Sequence, residues 1–255
     1  MNSDNNDEPT PPELPGQPDT ASETEAANEE SEPAVKLEPM GQTLTLQDTI
    51  DAILKSPGQL IYELREGRSG PVARHLALIS VVAMLVFGFV LGLFSGGEQL
   101  WAAPLKLLAG MTISVLITLP SLYVFSCLSG IDMTPQKAGG MLLAGVALLS
   151  LILLAMCPVS WIFTQSTNSV GAMGFFTLLF WIVAISFGLS RIYLFAKVSG
   201  LIRQRYLLVW VTIFIVVTLQ MSTSLRPIIG PAEGTFLPTE KRFFLEHWTS
   251  ILGGE

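Results

Sequence analysis

Ser190, in the "GLSR" stretch at 188–191, lies in a long apolar segment, where a serine activated by a general base would be a nucleophile. Activation needs a base within hydrogen-bond reach. The two histidines, His75 and His247, fall at the entrance to the first apolar segment and in the C-terminal tail, and both read as interfacial residues. Cys127 and Cys157 are too few for a disulfide framework and lack metal-ligand spacing. They are expected as free thiols packed like small apolar residues, near opposite membrane faces. Glu98 and Asp132 fall in connections, so no proton or ion relay is placed within the spans. Asp132, Thr134 and Gln136 in "SGIDMTPQKAGG" read as a polar turn and helix cap. The sequence contains no HExxH, no paired intramembrane carboxylates and no phosphate-cradling glycine loop. No catalytic residue, cofactor or metal is expected, and the chain reads as something other than an enzyme.

The elements that would position any site are membrane spans. Half of the 255 residues are hydrophobic and 14% are charged, with a mean hydropathy of +0.53, which excludes an ordinary soluble domain. The net charge of −7 is concentrated in a tail. Residues 1–40 hold 11 of the 21 acidic residues and one of the 14 basic ones, leaving 10 acidic and 13 basic in residues 41–255. That tail is rich in Pro, Glu, Ser, Thr and Asn, has no aromatic residue, and is expected to be disordered. It lacks the basic start and early apolar core of a signal peptide.

Five stretches, 76–95, 107–129, 139–158, 172–195 and 206–224, supply the roughly 20 apolar residues that a membrane crossing requires. Arg191 is the one charge among them, near enough to a span end to extend toward headgroups. Arg65, Arg68, Arg74, Lys137, Arg191, Lys197, Arg203 and Arg205 fall on one side; Lys106 and Arg226 flank the spans on the other. The positive-inside rule then predicts a cytoplasmic N-terminus and an outer C-terminus, with Trp101 and Trp161 at the outer boundary. The basic residues at 191–205 would also attract anionic lipid, although topology alone explains them. No nucleic-acid motif accompanies them. The reading is an all-α polytopic helical bundle with about five transmembrane helices.

Within the first span, "VFGFVLGLFSGG" repeats Gly88, Gly92 and Gly96 every fourth residue, aligning them on one helix face. Small residues let membrane helices approach closely, so these are packing positions, either within the chain or between two copies. Gly139, Gly140 and Gly145 offer a groove on the third span. Pro120 removes a backbone donor from the second span and predicts a kink there, with Thr118 and Ser121 close enough to satisfy freed groups. Its alternative role is a hinge lining a substrate path. An odd number of spans and the lack of an internal repeat disfavour a carrier.

Residues 41–74 precede the spans. Thr45 with Asp48 resembles a capping box, followed by Leu46, Ile50, Ile53 and Leu54 at helical spacing. Ser56–Pro57 opens a second helix carrying Leu60, Ile61 and Leu64 on one face, ended by Gly67 or Gly70. Two amphipathic helices on the cytoplasmic face are predicted. After the membrane domain, 75–225, the segment 226–255 aligns Phe243, Phe244, Trp248, Ile251 and Leu252 on an outer amphipathic helix.

The pre-helix "AILKSPGQLIYELREG" followed by five spans resembles the Yip (Ypt-interacting-protein-like) membrane family. "LPSLYVFSCL", "PVSWIFTQST" and "QMSTSLRPIIG" are similar to an uncharacterised bacterial group of polytopic membrane proteins placed near it. The likeness covers about residues 46–250 and omits the acidic tail. The Asp-Leu-Tyr-Gly-Pro motif of the eukaryotic members does not occur, so vesicle traffic and GTPase binding are not carried over. The bacterial group implies a multi-span inner-membrane protein and no reaction. The functional expectation is a non-enzymatic scaffold or accessory subunit whose partners are the bilayer and another membrane protein or a second copy; the competing one is a small transporter or channel using the Pro120 kink.

Overall fold

The computed structural model describes residues 36–41, 44–66, 69–167 and 169–224, with side chains through residue 221. The acidic tail, save residues 36–40, and the amphipathic segment of 226–255 lie outside the described residues. The described residues form eight helices: α1 (Leu46–Leu54), α2 (Pro57–Arg65), α3 (Ser69–Ser95), α4 (Gln99–Leu128), α5 (Pro135–Ala155), α6 (Cys157–Ser166), α7 (Val170–Val198) and α8 (Gln204–Ser224). Five of them, α3, α4, α5, α7 and α8, are long and apolar enough to cross a membrane. The fold is an all-α helical bundle of the membrane class. Its outward faces carry large apolar side chains such as Leu116, Ile117, Phe175 and Ile182, each more than half exposed. Lipid solvates those faces, so their exposure costs nothing that water would charge.

α3 packs between α4 and α5; α8 packs on α4 and α7 on α5. α7 and α8 hardly touch, although only the link 199–203 separates them. The helices start and stop for local reasons. Thr45 and Asp48 form the capping box of α1, Thr134 caps α5 through the Lys137 N–H, and Ser169 caps α7 through the Ala172 N–H. Ser56 occupies the N-cap of α2 without a side-chain bond, and Pro57 follows in the first turn. α4 and α7 both end in a left-handed glycine, Gly130 and Gly200. At each end the glycine N–H and the next N–H fold back on the last turn: Gly130 to Cys127 O and Ile131 to Ser126 O, Gly200 to Lys197 O and Leu201 to Ala196 O.

Three of the long helices, α3, α4 and α7, extend beyond the apolar stretches they contain. α3 begins at Ser69 because the first-turn positions tolerate Pro71, and Arg74 and His75 simply join the helix. α4 begins at Gln99, which places Lys106 inside the helix at 2% exposure, packed against protein. The third long helix stops at Ala155, three residues before the end of its apolar stretch, and Cys157–Ser166 forms a separate helix, α6. Pro158 cannot donate within α5 but is tolerated in the first turn of a new helix. α6 packs on α3 and α7, where Phe163 and Phe176 stack at 3.9 Å.

The glycines divide by what faces them. A methyl group on Gly88 would lie 2.5 Å from the Cα of Pro104, and one on Gly92 would lie 2.6 Å from the carbonyl oxygen of Gln99. The chain's own α4 therefore occupies this stripe. Gly96 does not belong to it: it follows the end of α3 at φ +65, in the turn to α4, with nothing within 4 Å of a β-carbon. Gly145 faces Ile192 and the carbonyl of Gly188, so α5 and α7 meet glycine to glycine. Gly140 receives the Leu64 side chain of α2, and a methyl on Gly139 would touch only Leu119, at 3.9 Å. Gly139→Ala should therefore be neutral or raise stability by up to about 1 kcal/mol, the helix-propensity gain. A melting temperature in detergent equal to or above that of the unmodified protein is the expected result.

Candidate functional site

The polar chemistry of the described residues is concentrated at the end of the bundle where α3 begins, α4 and α7 end, and α5 and α8 begin. There α1 and α2 are fastened to the spans. Arg191, in the last turns of α7, donates from Nη2 to the Ile53 carbonyl at 2.7 Å, in the last turn of α1. Arg65, in the last turn of α2, donates from Nη1 to the carbonyl of Val198, the final residue of α7, at 3.1 Å. Both guanidinium groups thus meet the carbonyl end of a helix, where a cation is favoured. Sequence separations of 138 and 133 residues make these long-range ties.

Two further bonds complete the clasp. Thr49 Oγ1 lies 3.1 Å from Nδ1 of His75 in α3 and 3.1 Å from the Thr45 carbonyl. With one proton, the hydroxyl either donates to Thr45 and accepts from an Nδ1–H or donates to a bare Nδ1, and with either tautomer the bond ties α1 to α3. Met40 donates its N–H to Oε1 of Glu63, which is buried in α2, at 3.0 Å. Beneath the polar ties, Ile53, Leu60, Ile61 and Leu64 are buried in protein. Withdrawing each from water contributes about 1.5–3 kcal/mol. The two helices are therefore packed on the bundle, not merely resting on a lipid surface. Leu46 and Leu54, expected on the inward stripe, point outward instead, and Thr49 and Ala52 are buried in their place.

Two turns lock the same end. The Ser129 carbonyl, at the end of α4, accepts the N–H groups of both Ile202 and Arg203 at 3.0 Å, and Ile202 packs over Gly130. The result is a rigid platform. Its first cap is pH-sensitive: Asp48 Oδ2 accepts from the hydroxyl and the N–H of Thr45, and these two bonds hold its carboxyl below the ordinary 3.8. A carboxyl depressed on folding stabilises above its unfolded pKa and loses that contribution as pH falls through its folded value. Amide exchange in the first turn of α1 should therefore accelerate as pH falls below about 4, relative to the intrinsic rate. Asp48→Asn should flatten that response.

The residues weighed for other chemistry lie apart from one another. Ser190 gives its hydroxyl proton to the Phe187 carbonyl of its own helix at 2.7 Å. Cys127 is exposed, because it sits on the outer face of α4 near its end; Cys157 is buried, its thiol 3.6 Å from the Leu153 carbonyl. Thr134 is the cap of α5, as its spacing suggests. Among the described residues no group of three His, Cys, Asp or Glu side chains is placed to hold a metal ion. α4 continues through Pro120. Beside it the Thr118 carbonyl accepts the Ser121 hydroxyl at 2.8 Å and the indole N–H of Trp210 at 3.1 Å. Trp210, fully buried on α8 and stacked on Phe214, thereby joins α8 to the proline segment. Pro104, Gly188 and Trp210 are not singled out by the sequence; a tryptophan within an apolar stretch, whose indole N–H needs a partner, is the one signal that points to a buried polar contact.

Fold and site together define an integral membrane protein of the polytopic α-helical class, with a helical platform at one end of its bundle. No family model, no curated protein and no solved structure matches the chain.

Proposed function

We propose that the protein is a non-enzymatic scaffold or accessory subunit of a membrane complex, and that the α1–α2 platform is its assembly surface. The observation that carries this reading is the pair of arginine bonds, from Arg65 and Arg191, that fix α1 and α2 to the bundle. Ionisable groups at this end are spent on holding two helices in place, and the outer surface of those helices still presents Leu46 and Leu54, the latter half exposed. The excess of Arg and Lys at this end supports a cytoplasmic platform and N-terminus and an outer C-terminus; a bacterial inner membrane rests on the resemblance alone. The resemblance to Yip-like polytopic proteins agrees with a membrane subunit of this kind.

The test is a crosslinking pull-down from native membranes with the full chain, a chain lacking residues 1–34, and Leu54→Glu, which alters the exposed face of α1. A stoichiometric protein partner retained by the first and weakened by the third supports the proposal; the truncated chain tells whether the tail takes part. Isolated monomers in all three would overturn it. A second reading, a small transporter or channel, draws support from Lys106, since an ionisable side chain buried within a span marks a functional position by default. Solute flux in proteoliposomes that disappears in a folded Lys106→Met variant would favour that reading.

A further inference from the structure

Between α7 and α8, at the platform end, lies a cleft of about 260 Å³ lined by Ser186, Leu189, Ser190 and Tyr193 from one helix and Leu207, Leu208 and Val211 among those from the other. The geometry points to a bound phospholipid: the upper part of one acyl chain occupies this cleft, and an anionic phosphate headgroup rests on Arg203 and Arg205 near its mouth.

The shape comes from the packing order. α7 is held by α5 and α8 by α4, so the two helices flank a gap that no other described helix fills. The lining spans residues 186–193 on α7, about 10 Å along a helix axis. A void of this kind among lipid-facing helices would forfeit dispersion contacts along both walls. Hydrocarbon is what the surroundings offer to fill it. The walls suit that occupant, since the Ser186 and Ser190 hydroxyls are already bonded to the Ile182 and Phe187 carbonyls of α7 and present no unmet polar group to the gap.

The headgroup end is charged. Gln204 lines the cleft, and Arg203 and Arg205 on either side of it are exposed. The backbone N–H of Arg203 is bonded to Ser129 O, and the Arg205 guanidinium sits 5.2 Å from the Tyr206 ring centre, so both residues stand beside Gln204 at the start of α8. Arg191, close by in sequence, is engaged with Ile53 and takes no part. A basic lip over an apolar slot matches a lipid with a negative headgroup and not a neutral one. A second copy of the chain would have to bring apolar side chains past two arginines, against their desolvation cost.

Native mass spectrometry of the purified full chain in detergent, titrated separately with dioleoylphosphatidylglycerol and dioleoylphosphatidylcholine, tests this. One phosphatidylglycerol should bind about tenfold or more tightly than phosphatidylcholine, the scale that two basic side chains near a membrane surface supply. The double variant Arg203→Gln/Arg205→Gln should lose the preference. Ser190→Trp, or Leu208→Trp if the first does not fold, should lose the bound lipid while remaining monomeric. Equal affinities for the two lipids in the unmodified protein would overturn the proposal, as would undiminished binding in a folded cleft-filling variant or a dimer that excludes lipid.

Discussion

Gly88→Leu will not give a folded membrane domain. The β-carbon alone would lie 2.5 Å from the Cα and 3.0 Å from the nitrogen of Pro104, and backbone cannot swing aside as a side chain does. Gly92 meets the same obstacle in Gln99 and Leu100, so both contacts bring α3 against the first turns of α4. Adding one methyl to a well-packed contact costs about 1–3 kcal/mol. Leucine adds three more carbons, against a total stability of about 5–15 kcal/mol for a domain. The damage spreads, because α4 also carries α8 through the Trp210–Thr118 bond. Size-exclusion chromatography in detergent should show Gly88→Leu as aggregate. Gly88→Ala should remain monodisperse and melt several degrees lower, at about 2–4 °C per kcal/mol for a chain of this size. A monodisperse Gly88→Leu with an unchanged melting temperature would show that α4 does not occupy the glycine face.

Arg191→Ala will loosen the platform while leaving the spans intact. Ile53 is buried, and loss of the guanidinium strands its carbonyl, at a cost of about 1–3 kcal/mol. The four apolar side chains beneath contribute more than that in sum, so α1 and α2 stay docked most of the time. Opening becomes more frequent by about 10- to 100-fold, at 1.4 kcal/mol per decade, and amide exchange in residues 46–65 should accelerate by that factor. Exchange in α3 and α5 should hold steady. Unchanged exchange in α1 and α2 would mean that apolar packing alone fastens them.

Apolar length made the five spans legible, because a run of some 20 apolar residues has few alternatives to a membrane helix. Local chemistry made the caps at Thr45 and Thr134 legible for a similar reason: each bond closes within three residues. Span edges were harder. Lys106, Arg74 and His75 resemble boundaries in sequence, yet helices continue through them once caps and neighbours satisfy the backbone. Pro158 marked the end of α5, but a proline that ends one helix can also open the next, and α6 was missed for that reason. The glycine stripe announced a close approach without naming its partner. Pro104 on α4 and Gly188 on α7 become partners only through tertiary packing, and the carbonyl that receives Arg191 lies in a helix 138 residues away. Interfacial helices were expected to rest on lipid; the buried faces of α1 and α2 found protein, because α3 and α5 reach that end of the bundle and Gly140 admits Leu64.

Site-specific photocrosslinking in native membranes tests the assembly surface most directly. A photoreactive residue at Leu54 or Lys55, on the outer face of the platform, would be compared with one at Leu116 on the lipid-facing side of α4, where exposure is 63%. A discrete protein adduct in high yield at residues 54 and 55, absent at 116, is the result expected of a scaffold. Protein adducts missing from the platform, or equally frequent at all three positions, would contradict it.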